Sequence, residues 1–287
     1  MLQQARCHVV SFNPIFPGDR FIWVNHWMDE AVLKELRSAR AVILPQAISR
    51  EFYFFVKAIC PNTFPNYDIR FKWEGKVGDA MLFWSLKAPH PKTTVFPRLV
   101  SLLGDHEEMG KPPFSLPPMP FVIKSNHGGE GRGTWLIEDQ EGLNKVIEIL
   151  KKEEFQGRFG FVIQEYIEGI DRTLRVVVIG SHVESYWREA ASGAFYSNLA
   201  QGARVIKGED PHLVKKGEEM VVSLCKKTGI NLAGFDVCFR GEEPLFLEVN
   251  YTFGRTGLGG SERFYKIFKK EVEAWLDSIA CSRDVFN

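Results

Sequence analysis

Residues 232–250, LAGFDVCFRGEEPLFLEVN, constrain this chain more than any other stretch. They read as two strands, 232–240 and 245–250, joined by a turn at Gly241-Glu242-Glu243-Pro244. A turn centred on Glu242 sets Asp236 opposite Glu248. Side chains alternate along a strand, so Asp236, Glu248 and Asn250 share one face. Phe235, Val237, Phe239, Leu245, Leu247 and Val249 are expected on the other. A sheet face built only to meet water typically carries lysines and threonines, whereas this one carries two carboxylates and an amide. Oxygen donors suit a hard divalent cation such as magnesium, with substrate phosphates completing its shell. Two carboxylates on adjacent strands also repel, which raises the affinity of at least one for a proton or a cation. An exposed acidic face with no ligand accounts for the same residues, and the spacing alone does not choose.

Two further segments carry chemistry. The run from Lys124 to Thr134, KSNHGGEGRGT, places Gly128, Gly129, Gly131 and Gly133 within six residues, directly after an apolar strand at 121–124. Glycines let backbone N–H groups turn toward an anion, and a lysine at the strand end adds a point charge. No Gly-Lys-Ser/Thr comes after it, so this is not a P-loop, and the G-x-G-x-G spacing is not the dinucleotide fingerprint. A plain hairpin tip uses the same residues. The run Gln164-Glu165-Tyr166-Ile167-Glu168-Gly169-Ile170-Asp171 leads a buried strand into an acidic turn. Such a turn can offer backbone groups to an adenine and a carboxylate to a ribose, although an ordinary strand exit reads alike.

The rest of the chain alternates strand and helix. Residues 7–12, 27–37 and 41–44 read as strand, helix, strand, succeeded by helices over 49–60 and 75–86. Five prolines between Gly110 and Pro120 mark an ordered connector, where a subdomain boundary is expected. Strands are expected next at 134–137 and 161–166, with a helix face of Leu143, Val146, Ile147 and Leu150 between them. Residues 174–179 and 183–188 pair as a hairpin through Gly180-Ser181, and helices cover 213–227 and 261–280.

Composition removes several function classes. The chain is 45% apolar and 25% charged, which excludes a disordered protein. Thirty-six basic residues balance thirty-six acidic ones, so neither nucleic acid nor an anionic membrane is an expected partner. No apolar run reaches the roughly 18 residues of a membrane span. The first residues lack the apolar stretch of a signal peptide. Five scattered cysteines with no C-x-x-C pair fit neither a disulfide framework nor a thiolate zinc site. A cytoplasmic protein is expected.

Taken together, in this order and spacing, the three segments resemble the ATP-grasp superfamily, in particular its glutathione synthetase and RimK-like ligase branch. The resemblance runs from about Lys76 to Gly260. FVIKSNHGGEGRG is similar to the family's second nucleotide lysine and phosphate-covering loop, VIQEYIEG to its adenine hinge, and GFDVCFRGEEPLFLEVN to its magnesium hairpin. GKVGDAMLF resembles the opening helix with the first nucleotide lysine, and SGAFYSNLAQGA the loop that supplies an asparagine near the phosphates. The resemblance implies an α/β (α+β) fold with a small N-terminal βαβ-type pre-ATP-grasp domain over 1–75. The ATP-grasp domain itself would cover 76–287, with a lid at about 121–161.

By the same resemblance, Lys76 and Lys124 neutralise the phosphates of ATP, assisted by Gly128, Gly129, Gly131 and Gly133. Gln164, Glu165, Tyr166 and Ile167 hold the adenine, and Asp171 the ribose. Asp236, Glu248 and Asn250 bind magnesium, or manganese in its place, while Arg175, Arg188 and Asn198 act on the transferred phosphoryl group. The implied activity is ATP-dependent joining of a small-molecule or peptide carboxylate to an amine through an acyl phosphate, in a chain that is free to form a homo-oligomer. A kinase of the same fold and a nucleotide-binding module without turnover are the alternatives. Some positions depart from the family pattern. Tyr196-Ser197-Asn198 is followed by Ala200-Gln201 where RimK-like ligases carry two more basic residues, which argues against an acidic co-substrate such as glutamate. Asp171 sits two residues early relative to the central hairpin. Tyr251-Thr252-Phe253-Gly254 replaces a proline turn, and Arg255 beyond it is placed to receive a carboxylate.

Overall fold

The computed structural model describes residues 8–104, 115–127, 133–189 and 204–279. The chain opens with β1 (Val9–Ser11), β2 (Arg20–Phe21), α1 (Glu30–Ser38), β3 (Ala41–Ile43), α2 (Arg50–Ile59) and β4 (Thr63–Phe64). The strands form a parallel sheet in the order β2-β1-β3-β4. Both helices start on side-chain caps that satisfy free N–H groups. Asp29 accepts from the Val32 N–H, and Ser49 from the Phe52 N–H. The expected strand-helix-strand is present, flanked by two strands of two residues each.

After α3 (Asp68–Lys72) and α4 (Gly75–Leu86) comes a second unit. It contains β5 (Thr93–Phe96), α5 (Val100–Leu103), β6 (Phe121–Ser125), β7 (Thr134–Ile137), α6 (Gln140–Phe155) and β8 (Phe161–Glu165). Its strands run antiparallel in the order β5-β8-β6-β7. The α6 residues Leu143, Val146 and Leu150 bury against Phe121, Ile123, Phe161 and Ile163. β5, before the proline-rich stretch of sequence, and β6, after it, belong to one sheet, so the boundary expected between them does not divide this sheet.

The third unit is the centre of the molecule. It comprises β9 (Arg172–Ile179), β10 (His182–Glu189), β11 (Arg204–Ile206), α7 (Pro211–Thr228), β12 (Leu232–Arg240), β13 (Glu243–Asn250) and α8 (Ser261–Ser278). The sheet is antiparallel in the order β11-β10-β9-β12-β13. One face buries Leu174, Val176, Val178, Phe235, Val237 and Phe246 against α7 and against Leu82 and Phe83 of α4. On the opposite face, Val177, Ile179, Tyr186 and Leu232 pack against Phe264, Phe268 and Val272 of α8. Val9, Ala41, Ile43 and Phe64 of the first sheet close the same core. Gly257 lies flat on the Tyr186 ring, where a Cβ would sit 2.1 Å from the ring carbons. Helix and sheet thus alternate through an α/β architecture, the class expected.

Candidate active site

The hairpin β12–β13 has the register its sequence dictates, with Asp236 opposite Glu248. A bulge breaks the alternation beyond that pair. The register shifts between Asp236 and Val237, so Val237 faces Phe246 and not Leu247. The expected apolar face is therefore corrected. Phe246 joins Phe235, Val237 and Val249 beneath α4 and α7, whereas Leu245 and Leu247 turn to the other side with Cys238, Val122 and Ile167. One extra residue in the ladder flips the side chains past it.

Asp236, Glu248 and Asn250 do come together. The Asn250 amide donates to Glu248 Oε1 at 2.8 Å and to Asp236 Oδ2 at 3.2 Å. Neighbouring strands bring cations to the same place. Arg175, across the sheet from Asp236, donates to it from Nε at 2.6 Å and Nη2 at 3.0 Å. Arg188 adds Nη1 at 3.0 Å from Oδ1. Lys76 donates to Glu248 from the side of α4. This helix turns Lys76, Asp79, Ala80 and Phe83 to one side, at the i, i+3, i+4 and i+7 spacing. Phe83 stacks on Phe246 at 5.0 Å, which fixes the helix against β13. The cleft so formed is closed on its far side by Lys124 of β6 and Gln164 of β8.

Burial controls the charges. Asp79 and Asp236 are each 7% exposed, and Lys124 5%. Burial raises the Asp79 carboxyl to about 7, with Lys76 opposing the rise and Glu248 adding to it. Burial lowers the Lys124 ammonium to about 8 against the pull of Glu248. Burial also disfavours charge on Glu248, yet Lys76, Lys124 and the Lys76 and Asn250 hydrogen bonds hold it well below the usual carboxylate range. Of the two outcomes expected for the paired acids, a proton or a cation, Glu248 takes the second, in the form of the lysines beside it. The carboxyl that does rise is Asp79. Lys76, Lys124, Arg175 and Arg188 against Asp79, Asp236 and Glu248 make four cations to three acids, one formal positive charge in all.

The remaining sequence candidates divide. Gln164 lines the cleft, donates to Thr93 Oγ1 at 2.9 Å, and keeps its buried Oε1 without a partner among the described residues. Glu165 turns its carboxylate away to the Lys92 N–H at 2.6 Å and to Arg240 at 2.5 Å. Its own N–H donates to Lys92 O at 2.9 Å. Tyr166 and Ile167 come next, and Ile167 is buried among Val122, Leu245 and Leu247. Asp171 is exposed, and the buried residue at the start of β9 is Thr173, whose Oγ1 has no partner among the described residues. Gly133 takes φ of +77° and accepts the Ser125 N–H at 2.7 Å. Gly128, Gly129, Gly131 and Asn198 lie outside the described residues. Arg255 stacks on Phe264 and donates to the Tyr265 hydroxyl at 3.0 Å, with no acidic partner among the described residues.

Sequence reasoning missed Asp79 and Asn126. Asp79 stands one turn beyond Lys76, a spacing that could have flagged it. Asn126 caps α4, whose own N-cap Glu74 makes no side-chain bond. Its Oδ1 accepts the Val77 N–H at 3.0 Å. It fits only because Gly75, at φ +71°, has no Cβ; one there would lie 2.3 Å from Asn126 oxygens.

Comparison with known proteins adds a family and a fold. A family model described as a RimK-like ATP-grasp domain matches residues 111–271. A probable alpha-L-glutamate ligase from Xanthomonas oryzae pv. oryzae is 34% identical over 167 residues, covering 56% of this chain and 53% of that protein. One from Stenotrophomonas maltophilia is 33% identical over 146 residues, covering 50% and 47%. The chain spans about half the length of the curated relatives it matches. Among solved structures, a RimK domain ATP-grasp protein from Sphaerobacter thermophilus superposes with TM-score 0.55 at 15% identity, covering 81% of each chain. D-alanine–D-alanine ligase from Bacillus anthracis complexed with ATP gives 0.60 at 15% identity, covering 90% of this chain and 84% of that one. At such identity these two likenesses concern the fold alone.

Proposed function

This chain belongs to the RimK-like ATP-grasp family, and from that premise we propose that it joins a carboxylate to an amine with ATP, releasing ADP and phosphate. The observation that carries the reading is the cluster of Asp236, Glu248 and Asn250 set among Lys76, Lys124, Arg175 and Arg188. Lys76 and Lys124 take the phosphates, and Gln164 with the 165–167 backbone takes the base. Arg175 and Arg188 stabilise charge on the phosphoryl group as the substrate carboxylate attacks it, after which the amine displaces phosphate from the acyl phosphate. The chain's contribution is positioning and charge neutralisation.

The donor set fits magnesium or manganese: two carboxylates and an amide, linked through the Asn250 side chain. Among the described residues no group of three His, Cys, Asp or Glu side chains could hold a metal by itself. That suits an ion which draws further ligands from a triphosphate. When bound, the ion would neutralise phosphate charge. Asp236, Glu248 and Asn250 would hold it, and Lys76, which now donates to Glu248, would then be available to phosphate.

The acceptors are a small-molecule or peptide carboxylate and an amine. Relatives carry the name glutamate ligase, but Ala200 and Gln201 argue against an acidic acceptor here. The test is to incubate the protein with ATP, magnesium and paired panels of carboxylates and amines. ADP and free phosphate should appear together only when both acceptors are present. Phosphate retained on a single product would establish a kinase instead.

A further inference from the structure

We propose that Asp79 is a positioning residue for the cation site, holding in place the backbone between two of the residues that bind the ion; this rests on the magnesium reading above. Asp79 Oδ2 accepts the Val249 N–H at 3.3 Å. Val249 lies between Glu248 and Asn250, so this one bond fixes the peptide link that joins two ligands.

The strand needs such a fastening. β13 is the outer strand of its sheet, with only β12 beside it among the described residues. The bulge interrupts the ladder next to Glu248, and a bulged edge is free to bend and twist. On its outer side β13 is held by the Phe246 N–H, which donates to Pro89 O at 2.9 Å, and by Asp79. The Pro89 contact lies ahead of the bulge and cannot restrain the residues beyond it. Asp79 acts past the bulge, at the ligands themselves. It is also placed at a cost that a merely structural acceptor need not carry. A carboxylate sits in a cleft whose lysines are to face phosphate, where an asparagine would reach the same N–H and add no like charge. Lys76, one turn earlier on the same side of α4, offsets that charge, so helix, lysine and acid form one unit bearing on Glu248 and the strand after it.

Calorimetry of a non-hydrolysable ATP analogue, with and without magnesium, tests the assignment without depending on turnover. The readout is the factor by which magnesium raises analogue affinity. Asp79→Asn keeps an acceptor oxygen for the Val249 N–H and should leave that factor within about twofold of the parent. Asp79→Ala removes the acceptor and should lower it by about tenfold or more, the usual effect of losing an outer partner of a metal ligand, while its metal-free affinity should match that of Asp79→Asn, which loses the same charge. If Asp79→Ala does not fold, Asp79→Ser, too short to reach the strand, takes its place with the same expectation. An unchanged magnesium factor in the alanine or serine protein overturns the proposal. So does an asparagine protein that loses as much as alanine, since charge and not the hydrogen bond would then be at work. Failure of the underlying reading looks different: the parent protein itself would show no magnesium-dependent gain.

Discussion

The central sheet presents two contrasting ends on one face. Toward α8, β9, β10 and β12 contribute Val177, Ile179, Tyr186 and Leu232 to an apolar core. A few residues along the same strands, that face carries Arg175, Arg188 and Asp236. The ladders that join β9 to β10 and to β12 are continuous across both ends, so between these strands the difference lies in side chains. Apolar burial stabilises a fold without needing exact partners. Buried ion pairs roughly break even against the cost of leaving water, and they become expensive when one partner is lost. The apolar end therefore holds the sheet, and under the proposed function the charged end supplies the groups that meet the ligand.

That contrast can be broken most severely at the apolar end. Phe268 is fully buried and packs on Phe64 and Phe264. Phe268→Ala should lower stability by about 3–5 kcal/mol, read as an earlier midpoint in urea. A loss under about 1 kcal/mol would mean that α8 does not hold the sheet. Next comes Glu248→Gln at the charged end. It keeps the shape and removes the charge, so ATP turnover, once an acceptor pair is in hand, should fall by about a hundredfold or more. Near-normal turnover in a folded protein would put the cation site elsewhere.

Lys124→Ala sharpens the comparison at smaller scale. It should weaken ATP binding by about 1–3 kcal/mol in calorimetry, the range for charge-assisted bonds. The smallest effect is one of pH. Burial brings the Lys124 ammonium to about 8 from its ordinary 10.5, so raising the pH from 7 to 9 removes its charge and should weaken ATP binding in the parent. Lys124→Ala should flatten that part of the profile. Stability responds in the opposite sense. Above about pH 8 the unfolded chain holds this proton more tightly than the folded one, so the cost that the buried Lys124 charge imposes on folding fades as pH rises to about 10.5.

How much of the molecule could be read in advance depends on the length of each pattern. The β12–β13 hairpin was legible because strands of nine and eight residues flank a glycine-containing turn. β2 and β4, with two residues each, are too short to carry any period. The bulge was invisible because alternation cannot announce where it stops, and that misplaced Leu245 and Leu247. Asp79 stayed hidden because a lone acid on a helix ordinarily faces water. Only the packing of α4 on β13 turns it inward. Asp171 drew attention as an acid after a strand, but the chain buries Thr173 instead, two residues on and on the face that bears Arg175.

Phe64 and Trp275 meet at 5.5 Å, and the Arg40 guanidinium reaches the Leu276 carbonyl at 3.5 Å. The ribosome makes the opening sheet first, yet the helix that covers Val9, Ala41 and Phe64 is made some two hundred residues later. At the usual pace of synthesis, about 5–20 residues per second, that sheet waits on the order of ten seconds or more with its inner side bare. Nascent chains halted before residue 261 should therefore be chaperone clients, although most of the cleft has already been made.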